Sequence, residues 1–140
     1  LQFGCLFSML ALSNAGGGAA GILTYMLSVK YNLPQAWTYA VVGIEFLKKN
    51  IKLGYTDYKN IAKLDGKTLN LNKEIKKIEN LMPEKIGNTH TNSSSSYKSS
   101  IYETLILKKS TLDNKNPVKY KIKDIDDLSK KISIKLEKYF

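Results

Sequence analysis

The sequence predicts an all-α fold, on three observations. Apolar residues recur at helical spacing in the second half: Leu71, Ile75, Ile78 and Met82 fall at i, i+4, i+7 and i+11, and Ile125, Leu128, Ile132, Leu136 and Tyr139 form a second stripe. The first 47 residues carry only two charges, Lys30 and Glu45, as do helices apolar on all sides in the centre of a packed domain. Helix breakers separate the apolar runs: the glycine triplet 16–18, Pro34, Asp65-Gly66 and Pro83.

Taken in order, Leu1–Leu12 is expected as a helix that ends or bends at Gly16-Gly17-Gly18, because each glycine destabilises a helix interior by about 1 kcal/mol. A second helix covers Ala19–Lys30. Pro34 then forces a restart, since Leu33 before it is biased away from helical angles, and a third helix runs from Gln35 to Lys49. From residue 48 the chain turns amphipathic and polar. Asp57–Leu64 (DYKNIAKL) forms a short helix closed by Asp65-Gly66, and the stripe 71–82 a longer one stopped by Pro83. Residues 87–100 (GNTHTNSSSSYKSS) are expected as a flexible serine-rich loop. Ile101–Leu107 is a short apolar segment whose type the pattern leaves open. The last helix spans Asp124–Tyr139, with Asp near its start and Lys later, as the helix dipole favours. The organisation is one helical domain over 1–140: apolar core helices in 1–50, amphipathic helices in 51–86, the loop at 87–100, and a C-terminal segment and helix in 101–140.

At 140 residues the chain has room for one core and little for a cofactor domain plus a substrate domain. Its 22 basic side chains are all lysines, against 12 acids, giving a formal charge of +10. All but Lys30 spread from Lys48 to Lys138 among Asp and Glu, which reads as a solvated surface, and arginine, with its bidentate fork for phosphate, is absent. The single Cys5 sits among Phe3, Leu6 and Phe7 and reads as a buried, inert thiol; one thiol closes no intramolecular disulfide, which fits a cytoplasmic protein. His90 lies in the serine-rich stretch with no partner nearby in sequence and is expected in solvent. The opening on Leu1, directly in an apolar run, suggests a fragment whose upstream part is absent.

Residues 1–29 are uncharged and longer than the roughly 20 residues a bilayer requires, which raises a membrane-anchored alternative. Ser13-Asn14 and the glycine triplet interrupt them, and no lysine cluster precedes them, so core helices are the preferred reading and a membrane partner is not expected. Gly16, Gly18 and Gly21 match Gly-x-Gly-x-x-Gly, but no strand precedes them and no acid follows before Glu45, as a dinucleotide loop would require. Residues 57–82 have helix–turn–helix spacing, which raises a second alternative, a basic DNA-binding module; base-reading side chains are not evident, so nucleic acid is not the expected partner.

Three collinear pieces point elsewhere. Ala15-Gly16-Gly17-Gly18 is followed by Gly21, Tyr25, Ser28, Tyr31-Asn32-Leu33-Pro34-Gln35-Ala36 and Ala40; then come Tyr58–Gly66 (YKNIAKLDG) and Asp113–Leu128 (DNKNPVKYKIKDIDDL), where Asn116-Pro117 turns the chain into the last helix. In this order and spacing the chain resembles the C-terminal helical domain of the iron-containing alcohol dehydrogenase family, and LTYMLSVKYNLP is similar to the branch that reduces phosphonoacetaldehyde. The resemblance implies an ancestral NAD(P)-dependent interconversion of alcohol and aldehyde. In that family a divalent metal, iron or zinc, polarises the reacting oxygen while nicotinamide exchanges hydride. An Asp and a His upstream and two His from this region hold the metal.

Those two positions fall here on Gly21 and Gln35, and a further conserved histidine position falls on Tyr25. Glycine has no donor atom, and a glutamine amide is a poor ligand for Fe²⁺ or Zn²⁺ beside imidazole. The expectation is therefore a domain or fragment with no catalytic, cofactor-binding or competent metal-ligating residue of its own. Tyr25 would be packed in the core and Gln35 set at a helix start. No cofactor is expected for the chain alone; its implied partner is a missing nucleotide-binding domain or a homologous subunit.

Overall fold

The structure, a computed structural model, describes residues 18–57, 60, 70–86 and 94–140. Among them every regular element is a helix: α1 (Gly18–Tyr31), α2 (Gln35–Lys52), α3 (Leu71–Asn80), α4 (Ser94–Leu107), α5 (Lys109–Lys115) and α6 (Ile122–Tyr139). The expected all-α class holds for these residues. The expected helix at Leu1–Leu12, together with Cys5 and His90, falls on positions outside the described residues, and so does the expected helix at Asp57–Leu64 apart from Asp57 and Asn60.

Local chemistry sets the hairpin of α1 and α2. Asn32 takes a left-handed φ of 51°, and the Leu33 N–H donates to the Ser28 carbonyl at 3.1 Å, the longer of the two bonds of a Schellman-type helix end. Pro34, with φ −60°, then caps α2, where its missing N–H costs nothing. The far end of α2 closes in the same way around Gly54 at φ 95°, with the Gly54 N–H donating to Ile51 and the Tyr55 N–H to Asn50, each at 3.0 Å. A Cβ at Gly54 would meet nothing within 4 Å, so only backbone strain opposes a side chain there. Gly54→Ala should lower the unfolding free energy by about 1 kcal/mol, read from a urea melt; no change would show that the turn relaxes freely.

The core lies around α6. Its Ile125, Leu128, Ile132 and Leu136 are fully buried, with Tyr139 nearly so, as the sequence stripe predicts. Helix α4 packs along one side through Tyr97, Ile101 and Leu105, and α2 along another through Val41, Val42 and Phe46. Helix α1 packs on α2 and buries Ala19, Leu23, Leu27 and Tyr31, the last of these with its ring against Tyr97 of α4. No helix among the described residues is long and apolar enough to cross a membrane.

Two expectations are corrected. Residues 94–100 belong to α4 rather than to a serine-rich loop, and α4 continues through the apolar segment to Leu107. Serine is a modest helix former, but Tyr97, Ile101 and Leu105 stand four apart and are buried, and that burial outweighs local preference. On α3, Ile78 is 46% exposed instead of lying on the buried stripe. Ile75 and Met82 face inward, and the residue between them on that face is Glu79, drawn in by lysines of α2 and α6. The Ile86 N–H donates to the Tyr139 carbonyl at 2.8 Å and fastens the chain after α3 to the end of α6.

Candidate functional site

A hollow of about 410 Å³ opens where the first turn of α1 meets the second half of α2 and the turn after α5. Gly18, Ala19 and Ala20 form one wall, and Tyr39, Gly43 and Phe46 the floor. The third wall is polar. Asn116 Nδ2 donates to Asn50 Oδ1 at 3.0 Å and to the Val118 carbonyl at 2.7 Å, and Asn50 Nδ2 returns a bond to Asn116 Oδ1 at 3.3 Å. The Tyr120 hydroxyl donates to Asn50 Oδ1 at 2.6 Å, and its ring stacks on Phe46 with centroids 6.0 Å apart. Asn116 thus builds the Asn-Pro turn by holding Val118 with one amide edge and α2 with the other. Asn50 was not singled out in the sequence. Its signal is weak: it stands one helical turn beyond Phe46 on an otherwise apolar face.

The family's ligand positions lie elsewhere. Gly21 is in the second turn of α1, where an added Cβ would meet nothing within 4 Å. Tyr25 is 65% exposed rather than packed in the core, because α1 buries Ala19, Leu23, Thr24, Leu27 and Tyr31, and residue 25 points away from that stripe. Gln35 starts α2, as expected, and is exposed. Ten residues of helix separate Gly21 from Tyr31, an axial distance of about 15 Å, and Gln35 follows across the turn at that far end. None of the three lines the 410 Å³ hollow. Of the glycine motif, Gly18 and Gly21 both lie within α1, and no group of three His, Cys, Asp or Glu able to hold a metal ion occurs among the described residues.

The charges are arranged with more order. Lys49, only 6% exposed, reaches Asp124 at 2.9 Å and Asp127 at 3.1 Å, and Lys131 meets Asp127 at 3.2 Å. Glu79 of α3 accepts from Lys48 at 2.7 Å and from Lys135; Lys135 also approaches the buried Glu45 at 3.2 Å. The Lys49 ammonium bonded to it holds the Asp124 carboxyl below the usual carboxylate range, against burial, with help from the Lys121 N–H. Burial pushes Glu79 and Asp127 up, but their lysine partners outweigh it and both come out lowered. For Lys49 and Lys135 burial acts downward and the carboxylates prevail, so both are raised.

Lys30, the lone cation of the apolar half, donates to Ser100 Oγ at 2.7 Å, and the Tyr31 hydroxyl meets the same oxygen at 2.7 Å. A serine between lysine and tyrosine has the composition of an activated nucleophile. Ser100, however, is 5% exposed in mid-helix, where the neighbouring N–H groups are committed to the helix and cannot hold an oxyanion. The cluster ties the end of α1 to α4.

No protein-family model matches the sequence, and comparison with curated proteins and with solved structures finds no match.

Proposed function

We propose that the chain is a helical domain of the iron-containing alcohol dehydrogenase type that keeps the scaffold without the metal clasp and performs no redox chemistry by itself. The observation that supports this reading is the convergence of two of the three resembling pieces. The glycine–alanine start of α1 and the Asn116-Pro117 turn, almost a hundred residues apart, wall the same hollow. The left-handed Asn32 before Pro34 gives the Tyr-Asn-x-Pro piece a structural purpose, the reversal from α1 to α2.

The residues at the ligand positions do not fit iron or zinc. Gly21 offers no donor, Gln35 an exposed amide, and the helix between them keeps the two apart, whereas a metal requires its ligand atoms within about 2 Å. In this reading the domain supports a nucleotide-binding partner and contributes packing rather than chemistry.

The purified chain is expected to retain no stoichiometric Fe²⁺ or Zn²⁺ after desalting and to leave NADH unoxidised with small aldehydes. Metal-dependent NADH oxidation would overturn the proposal. A sharper test restores the imidazoles. Gly21→His with Gln35→His is accommodated sterically at residue 21, yet should produce no intense visible absorption with Co²⁺, because the two rings start from opposite ends of α1. A tetrahedral Co²⁺ spectrum would mean that the positions converge and that the clasp is missing only its side chains.

A further inference from the structure

A second cleft, of about 360 Å³, lies between α2 and α6, lined by Glu45, Lys48, Lys49, Lys52, Lys131 and Lys135. On α2 these residues fall at i, i+3, i+4 and i+7 and on α6 at i and i+4, so each set occupies one helical face. Two packed helices ordinarily meet along apolar faces; here both present ammonium groups to the same hollow. The geometry points to a binding site for a compact polyphosphate anion, an inorganic triphosphate or the triphosphate of a nucleotide.

The charge balance carries the argument. Around the cleft five lysines face four carboxylates: Glu45, Glu79, Asp124 and Asp127. The carboxylates are shared, Asp127 between Lys49 and Lys131, and Glu79 between Lys48 and Lys135. Each ammonium has three N–H donors, so sharing leaves donors available to a ligand. Lys52 at the mouth makes no ion pair with a described residue. Glu45 and Asp124 are 4% and 8% exposed with Lys49 buried beside them, so the back of the cleft holds paired charges, while Lys52 and Lys131 are exposed at its rim. Low-dielectric walls focus such a field. Lysine binds phosphate as a point charge, and with no arginine in the chain the task falls to lysine. The volume matches that of small-ligand pockets. The concave shape excludes a duplex backbone, which requires an open basic surface.

Calorimetric titration of the full chain at low ionic strength tests the site. Sodium tripolyphosphate and ATP should bind alike and adenosine not at all, with affinity falling as salt is added. Lys52→Gln with Lys131→Gln, both exposed, should weaken tripolyphosphate binding about tenfold with the thermal melt unchanged. Lys73→Gln with Lys76→Gln on the outer face of α3 removes the same charge and should leave binding intact. Three results would overturn the proposal: no tripolyphosphate binding, equal losses in the two double variants, or binding of a DNA duplex without tripolyphosphate.

Discussion

Lys49→Ala should remove about 3 kcal/mol of unfolding free energy, the usual consequence of deleting one member of a buried ion pair. Lys49 is 6% exposed and holds Asp124, itself 11% exposed by side chain, so alanine strands a carboxylate that water cannot fully reach. Asp124 has a second duty, accepting the Lys121 N–H at 2.9 Å at the start of α6, and cannot simply swing outward. Lys49→Met combined with Asp124→Asn and Asp127→Asn should recover most of the loss, because the desolvation of the charges disappears with their attraction. A urea melt of Lys49→Ala within about 0.5 kcal/mol of the parent would mean that the pair is solvated.

The same residues set a pH dependence of definite sign. Asp124, Asp127 and Glu79 are lowered in the fold, so their contribution is complete above the unfolded carboxylate pKa of about 4 and is lost as pH falls through the lower folded values. Lys49 and Lys135 are raised from 10.5, so theirs is complete below that value and is lost only as pH climbs through the folded values. Urea melts from neutral to acid pH should therefore show a steep acid limb that flattens in Lys49→Ala. An unaltered limb would place the acid sensitivity in other carboxylates.

Leu128→Ala should cost about 3 kcal/mol, combining lost transfer energy with the cavity left behind. Leu128 is wholly buried in the middle of α6, among residues of the core cluster that draws on α1, α2 and α4, so no single neighbour can move in to fill the space. For a domain whose whole stability is about 5 to 15 kcal/mol, that is a large share. Ile134→Ala on the same helix is the control: Ile134 is 52% exposed, and its truncation should stay within about 0.5 kcal/mol. Similar losses at both positions would mean that α6 is packed on both faces, and a negligible loss at Leu128 that the core around α6 is loose.

The stripe of α6 was legible in the sequence because an amphipathic helix writes its inner face in its own periodicity, and all five stripe residues are buried. The break at Pro34 was legible because proline fixes its own φ and restricts its neighbour. Tyr25 was not. Helix α1 is apolar nearly all round, so its sequence contains no record of which side faces inward; α2 and α4 decide that by where they pack. The inward turn of Glu79 in place of Ile78 depended on lysines 31 and 56 residues away, and the helical state of 94–100 on the burial of Tyr97 beneath α6. At the candidate site the Asn-Pro turn could be read, but its mate Asn50 could not, since an amide pair across 66 residues has no local signature.

By itself, then, the sequence determined the helical class, the break between α1 and α2 and the buried face of α6, all of which rest on interactions within a few residues. The tertiary structure alone decided which apolar face is left in solvent and which charges meet. Five of the lysines that read as evenly spread along the chain are gathered into one cleft, because α2 and α6, distant in sequence, cross with those faces together.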